Sequence, residues 1–363
     1  MSVAFPELRA TRCVRFRYRH SECQRCQDAC PHEAVVLADD GVRVDPARCQ
    51  NCGLCVGACR TEALASPRLA RVETLKRAIR QERFAWACDP SGLEGDATVP
   101  CLGALDGATL AYLAKRGIAV ELRGSGHCAE CPHGARGASQ LALVLDAAQA
   151  LRAASGEKWA EIKLAASSSG RVAGRTPAQA ERRQLLRRLI GRAIHEVAEA
   201  DEHGNPPSVP KAAIRAGSPF ITEQRELLQI VCKRSDGAAF RLGRHDGLPL
   251  MQLGPAQGCT ACEACFRVCP TGALQIEETT VSWTLSFTAD RCIGCEACIE
   301  VCQPGALDAE DEFDAHPARG AKRLERRAKQ RCARCDRFFV SAEPQETCQV
   351  CLDDEQAFSA ILG

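Results

Sequence analysis

Cysteine is the residue on which chemistry in this chain must rest: there are 25 among 363 residues. Four stretches space them alike: HSECQRCQDACPHEAVVL, CQNCGLCVGACRTEAL, CTACEACFRVCPTGAL and CIGCEACIEVCQPGAL. Three follow C-x2-C-x2-C-x3-C; the first follows it from Cys23 onward, with His20 where the opening cysteine would stand. In each, an alanine follows four residues after the last cysteine, and then Leu or Val. Cysteine at this density means disulfides or metals. Disulfide frameworks belong to short secreted chains, whereas this chain is long and MSVAFPELRATRC has no apolar run able to serve as a signal peptide. No stretch approaches the roughly 20 apolar residues of a membrane helix. The expectation is a soluble, cytoplasmic protein whose reduced cysteines bind metal.

The spacing has a physical reason. Three cysteines at x2 intervals sit on a tight loop, so that their thiolates converge on three corners of an iron–sulfur cubane. The fourth, after x3, is expected on a short helix pointing away, toward a second cluster. The Ala-Leu step should start a strand returning over the cluster. Such a unit has little apolar core and takes much of its folding energy from the metal, in keeping with an aromatic content of 4%.

On these motifs the chain resembles bacterial two-[4Fe-4S] ferredoxin domains over roughly residues 13–65 and 255–308. In the second pair the resemblance implies Cys259, Cys262, Cys265 and Cys302 around one cluster, and Cys292, Cys295, Cys298 and Cys269 around the other. Pro270 follows Cys269 as in the family, while Gln303 follows Cys302 and displaces the proline to Pro304. In the first pair it implies Cys49, Cys52, Cys55 and Cys30 for one cluster. The other has Cys23, Cys26 and Cys59 and needs a fourth ligand, which His20, Cys13 or nothing, as in a three-iron or labile site, could supply. The intervening VRFRYRHSE, with Val14, Phe16 and Tyr18 in alternation, reads as an opening strand.

A further quartet, Cys88, Cys101, Cys128 and Cys131, lies between the pairs. RFAWAC reads as a strand ending on Cys88, LDGATLAYLAKRG as a helix with Leu105, Leu110 and Leu113 on its apolar side and Gly117 as its stop, and IAVEL as a second strand. Cysteines thus gather at strand ends, where open α/β sheets place their sites. This unit resembles the iron–sulfur delta subunit of hydrogenases that serve heterodisulfide reductase. It is read as a fifth iron–sulfur site, with zinc or free thiols as the alternatives. GSGHCA, Gly124 to Ala129, with Asp146 further on, formally matches a dinucleotide fingerprint, but Pro132 falls where the helix should run and two cysteines occupy the turn, so it is set aside.

Cys332, Cys335, Cys348 and Cys351 form C-x2-C-x12-C-x2-C around an FFV hairpin. This looks like a zinc ribbon, with a rubredoxin-like iron site as the rival. The basic ARGAKRLERRAKQR before it reads as a solvated linker helix, offset by DAEDEFD. Counting then bears on the deficient site. Twenty-three of the 25 cysteines are assigned and Cys13 and Cys232 remain. Cys13, beside the gap, completes six four-cysteine sites and is favoured over His20.

These sites need scaffolds, and the expected class is α+β. Two ferredoxin-like modules, 1–68 and 251–310, flank a small α/β unit, 69–166, and a helical connector, 167–250, with a charged linker and ribbon over 311–363. Residues 137 to about 164 are Ala-rich and read as helical. SSSGRVAG reads as a link, and Thr176, Pro177 and Gln179 as the cap of a helix carrying Leu185, Leu186, Leu189, Ile190, Ile194 and Val197, with Arg182, Arg183, Arg187 and Arg188 on its polar side. PFITEQRELLQIVC starts another. The net charge of +1 gives no bulk attraction for nucleic acid. No nucleotide loop or nucleophile-with-base motif stands out, and His127 and His133 read as supporting groups. The expected function is single-electron relay between a donor and the catalytic subunit of an oxidoreductase, as in polyferredoxin-like subunits. The alternative is an assembly or nucleic-acid-associated factor with structural or sensory clusters.

Overall fold

The computed structural model describes residues 5–38, 41–165, 213–315 and 320–362. The link and capped helix expected over 167–200 lie outside them. Helix and strand are mixed, as an α+β chain requires.

In the first module, β1 (Glu7–Leu8) pairs with β4 (Leu64–Ala65), and β2 (Val35–Ala38) with β3 (Gly41–Val44), both antiparallel. Short helices at Arg25–Asp28 and Leu54–Ala58 carry Cys26 and Cys55 and stop before Cys30 and Cys59. The x3 cysteines therefore follow the helices rather than sit on them. The returning strands begin where expected, at Val35 and Leu64. One expectation is corrected: Val14–Arg17 is a helical turn, not a strand. The turn brings the backbone N–H groups of Arg15 and Phe16 onto the Cys13 sulfur, which an extended segment would not do.

The middle unit is a parallel sheet of β5 (Arg83–Cys88), β6 (Ala97–Val99), β7 (Ala119–Arg123) and β8 (Ile162–Ala165), in the order β6-β5-β7-β8. Asp106 caps the helix Gly107–Lys115 by accepting from Thr109 N at 2.8 Å. That helix packs with the long helix Gly134–Ser155 and with Glu223–Val231 over one continuous apolar core around Trp86, Leu110, Leu113, Leu122 and Leu151. The helical reading of 137–164 is corrected at its end. The helix stops at Gly156, in the left-handed region, and the chain runs on into β8, because an open edge of β7 is there to pair with. Leu105 lies ahead of the helix it was placed on.

The expected helical connector also holds β9 (Phe240–Gly243), paired with β12 (Glu312–Ala315). In the second module β10 (Leu274–Glu278) and β11 (Ser282–Phe287) form a hairpin. The basic run expected as a linker helix is instead β13 (Lys322–Arg331), which pairs along β11 and then with β14 (Phe338–Ser341). Its Leu324 is buried against the second module, and Lys329 and Arg331 lie over Phe338. Pairing and burial override helix propensity here, and they fasten the C-terminal cysteines to the second module.

Candidate metal centres

Each half-module repeats one backbone device. The residue three after the last cysteine (Glu33, Glu62, Gly272 and Gly305) has a left-handed φ between 50° and 64°. This turn swings the amide of the following alanine back onto sulfur: Ala34 N donates to Cys30 Sγ at 3.3 Å, Ala63 N to Cys59 Sγ at 3.3 Å and Ala306 N to Cys302 Sγ at 3.2 Å. A second device sits in the x2 loops, where Asn51, Ala261 and Gly294 are left-handed and their amides donate to Cys49, Cys259 and Cys292 Sγ at 3.4 Å. Bonds of this kind stabilise thiolate over thiol and raise the potential of a bound cluster. The recurrent alanine is therefore a small residue at a turn whose amide is in use.

The four-cysteine groupings appear as shared surroundings. Cys13, Cys23, Cys26 and Cys59 line one cavity, and the Cys13 and Cys26 thiols are both raised by burial with Cys59 and Cys23 as charged neighbours. His20 lies outside that cavity, exposed, its ring edge-on to Tyr18 at 5.7 Å. Cys55 has Cys52, Cys49 and Cys30 about it. Cys265 has Cys259, Cys262 and Cys302, and Cys298 has Cys295, Cys292 and Cys269. Cys88, Cys101, Cys128 and Cys131 line one cavity at the C-terminal ends of β5, β6 and β7. The remaining cysteine, Cys232, is buried beside Arg225, with no cysteine among its charged neighbours.

Burial pushes the Cys26 and Cys101 thiols up to about 12 and Cys52 up to about 11. As thiolates in such places they need a bound cation to offset the loss of water. The C-terminal quartet differs. Cys332 is brought down to about 6 by backbone N–H groups, first that of Cys348 at 3.3 Å, so it is ready as a thiolate at neutral pH.

Size separates the two kinds of site. Cys332, Cys335, Cys348 and Cys351 bring all four sulfurs within 4.8 Å of one another. Among the described residues, no other cysteine quartet places even three sulfurs that close. The C-terminal set fits one ion, whereas in the other five the sulfurs stand further apart. The first C-terminal knuckle lies at the β13–β14 turn and the second at the start of the helix Gln349–Leu362.

Sequence reasoning missed a feature beside Cys52. His32 Nε2 and His133 Nδ1 stand 3.0 Å apart, and both rings lie against Cys52. His32 comes from the first module and the buried His133 from the middle unit, so only the fold joins them. The discarded dinucleotide fingerprint finds no role: Asp146 is paired with His245 at 3.0 Å. Among the described residues, no helix is long and apolar enough to cross a membrane.

Comparison with known families bears on two parts of the chain. Residues 258–306 match the 4Fe-4S dicluster domain and residues 42–65 the 4Fe-4S binding domain. No curated protein matches the chain. The chain thus carries two 4Fe-4S ferredoxin-type regions, whose chemistry points to electron transfer.

Proposed function

We propose that the chain is a multi-cluster iron–sulfur protein that relays single electrons between a donor and the catalytic subunit of a larger cytoplasmic oxidoreductase, without being that catalyst itself. Its clusters would be held by Cys13, Cys23, Cys26 and Cys59; by Cys30, Cys49, Cys52 and Cys55; by Cys269, Cys292, Cys295 and Cys298; by Cys259, Cys262, Cys265 and Cys302; and, fifth, by Cys88, Cys101, Cys128 and Cys131. Zinc would occupy the C-terminal quartet.

One observation carries the reading: the five sites fall in a row, each sharing a wall with the next. Cys101 of the middle unit and Cys52 pack in one apolar cluster with Leu54 and Ala104. Cys55 and Cys26 share another with Val35 and Leu64. Cys295 lines the same cavity as Cys13, Cys23 and Cys59. Cys298 and Cys265 lie in one core. Every second link joins different parts of the sequence, so the row exists only in the fold. Its far end carries Cys262, the one exposed cysteine among the described residues, where an electron could leave or enter.

The nucleic-acid alternative drew on the basic run before the ribbon. Part of that charge is paired within the protein: Lys322 with Glu310, Lys329 with Glu278 and Arg331 with Asp336. The deciding experiment is anaerobic purification with metal analysis and EPR. About 20 irons per chain and interacting signals on dithionite reduction are expected. Colourless protein holding zinc alone ends the proposal, and salt-sensitive binding of DNA or RNA would favour the alternative.

A further inference from the structure

Three arginines lie near the Cys269, Cys292, Cys295 and Cys298 quartet, and one of them, Arg60, also lines the neighbouring cavity. Arg225 is 1% exposed and Arg17 3%, and the Arg60 side chain is 10% exposed. Each spends its donors on backbone carbonyls. Arg225 reaches Ala289 O at 2.8 Å and Asp290 O at 2.9 Å. Arg17 reaches Thr11 O at 2.8 Å and Ser218 O at 3.2 Å. Arg60 reaches Gly294 O, and Asp246 O at 3.1 Å. Carbonyls satisfy hydrogen bonds but do not neutralise charge.

Carboxylates offset little. Asp290 lies 3.6 Å from Arg225 but is two-thirds in water, its side chain 66% exposed. Glu296 is shared by Arg60 and Arg25, each at 3.9 Å, and by Arg244 at 2.6 Å. Among the described residues Arg17 has no carboxylate within 4 Å. Nη1 of both Arg17 and Arg225 is buried without a hydrogen-bond partner. Buried cations in this state need an anion, and the negative groups near them include sulfurs: Cys269 and Cys295 for Arg17, Cys295 after Glu296 and Asp246 for Arg60, and Cys232 and then Cys292 for Arg225.

The neighbouring Cys13, Cys23, Cys26 and Cys59 cavity is also lined by arginines, Arg15, Arg25 and the shared Arg60, but Arg15 and Arg25 are only partly buried, and Arg60 reaches across to Gly294 O, between Cys292 and Cys295. Cys49 has Asp45 as its non-cysteine charged neighbour. Cys88 and Cys101 have only cysteines. Cys259 has Arg327 opposed by Glu325, and Cys23 has Arg25 opposed by Glu300.

We propose that Arg17, Arg60 and Arg225 make the Cys269, Cys292, Cys295 and Cys298 site the most easily reduced of the five, so that an electron on the row settles there. This rests on the reading of these quartets as iron–sulfur sites. Reduction adds one negative charge to a cluster and its thiolates, and guanidinium charge in a dry, low-dielectric setting favours that added charge. One electron passes from a one-electron reductant, which is oxidised, to the cluster iron; no bond is made or broken and no proton need move. The site is next to the one bearing Cys262, so electrons collect one step inside the exposed end.

The test is a mediated dithionite titration of the anaerobic full-length protein, followed by EPR. In Cys269→Ala the first signal to appear in the wild type should be lost or altered. In Arg60→Gln and Arg17→Gln, with iron content unchanged, it should move to lower potential, and Arg60→Lys and Arg17→Lys should restore it. Arg225 is so enclosed that its Gln variant can fail to fold, so the other two positions decide. A wild-type first signal in Cys269→Ala, or fully loaded Gln variants that titrate like the wild type, overturns the inference while leaving the iron–sulfur reading intact. Absence of iron from the wild type would overturn that reading instead.

Discussion

The sulfurs of Cys335 and Cys348 lie 3.8 Å apart. Four thiolates placed tetrahedrally about zinc at about 2.3 Å have edges of about 3.8 Å by the same geometry. This pair already sits at the distance one zinc ion imposes. The knuckle is built from β13, β14 and the final helix, with Arg334 donating to the Cys351 carbonyl at 2.8 Å. Cys348→Ser should therefore release about one zinc per chain and leave the iron count unchanged, as metal analysis of the anaerobic protein would show. Loss of about one iron per chain with no zinc released would mean that this quartet is an iron site.

What the sequence revealed about the sites, and what it hid, follows from how locally each was encoded. The x2-x2-x3 runs are local, and so are the turns and short helices that serve them. Cys13 was reached only by counting, because ten residues and a helical turn separate it from Cys23. The role of β13 was hidden because a run of Lys and Arg carries no period-2 signal, and its strand conformation comes from β11. The His32–His133 pair is separated by 101 residues, and the arginines around Cys292 come from three distant segments. Neither leaves a mark that spacing could detect.

Cys13 is 8% exposed in the cavity it shares with Cys23, Cys26 and Cys59, while His20 faces solvent. Cys13→Ala should convert or empty that one site and lower the iron content by between about one and four atoms per chain. His20→Ala should leave it unchanged. Iron analysis with EPR of the oxidised protein, where a three-iron cluster is visible, checks both. Full iron in Cys13→Ala would exclude it as a ligand.

Away from the cysteines, Glu157 fastens the middle unit to the segment after Cys232. Its carboxylate accepts from Ser235 N at 2.6 Å and Trp159 Nε1 at 3.3 Å, and pairs with Lys115 at 3.0 Å. The Ser235 amide above all holds its carboxyl down to about 2. A depressed carboxyl contributes stability that is complete above its unfolded value, about 4.3, and fades only as pH falls toward the folded value. Glu157→Gln should cost about 1–2 kcal/mol, and the cost should be flat from pH 6 to pH 8. Guanidinium unfolding followed by circular dichroism measures it, and a cost that disappears toward pH 8 would contradict the assignment.

Contact between the first module and the middle unit depends on a residue without a side chain. A Cβ added at Gly57 would meet the Ala104 carbonyl oxygen at 2.7 Å and its carbon at 3.1 Å. Both are backbone atoms of the turn following Cys101, so neither can rotate aside. The helix Leu54–Ala58 and that turn hold Leu54, Cys52, Ala104 and Cys101 in one apolar cluster. Gly57→Ala must therefore push the two elements apart, at about 1–3 kcal/mol, and lengthen the step between two sites while leaving every cysteine in place. Iron content should be preserved, the melting temperature should fall, and the magnetic interaction between the two reduced clusters should weaken in EPR. Gly243→Ala, where the added Cβ meets nothing within 4 Å, is the matched control and should change none of the three. If Gly57→Ala keeps the wild-type interaction spectrum, the middle site does not communicate through Cys101 and Cys52, and the row of five ends at four.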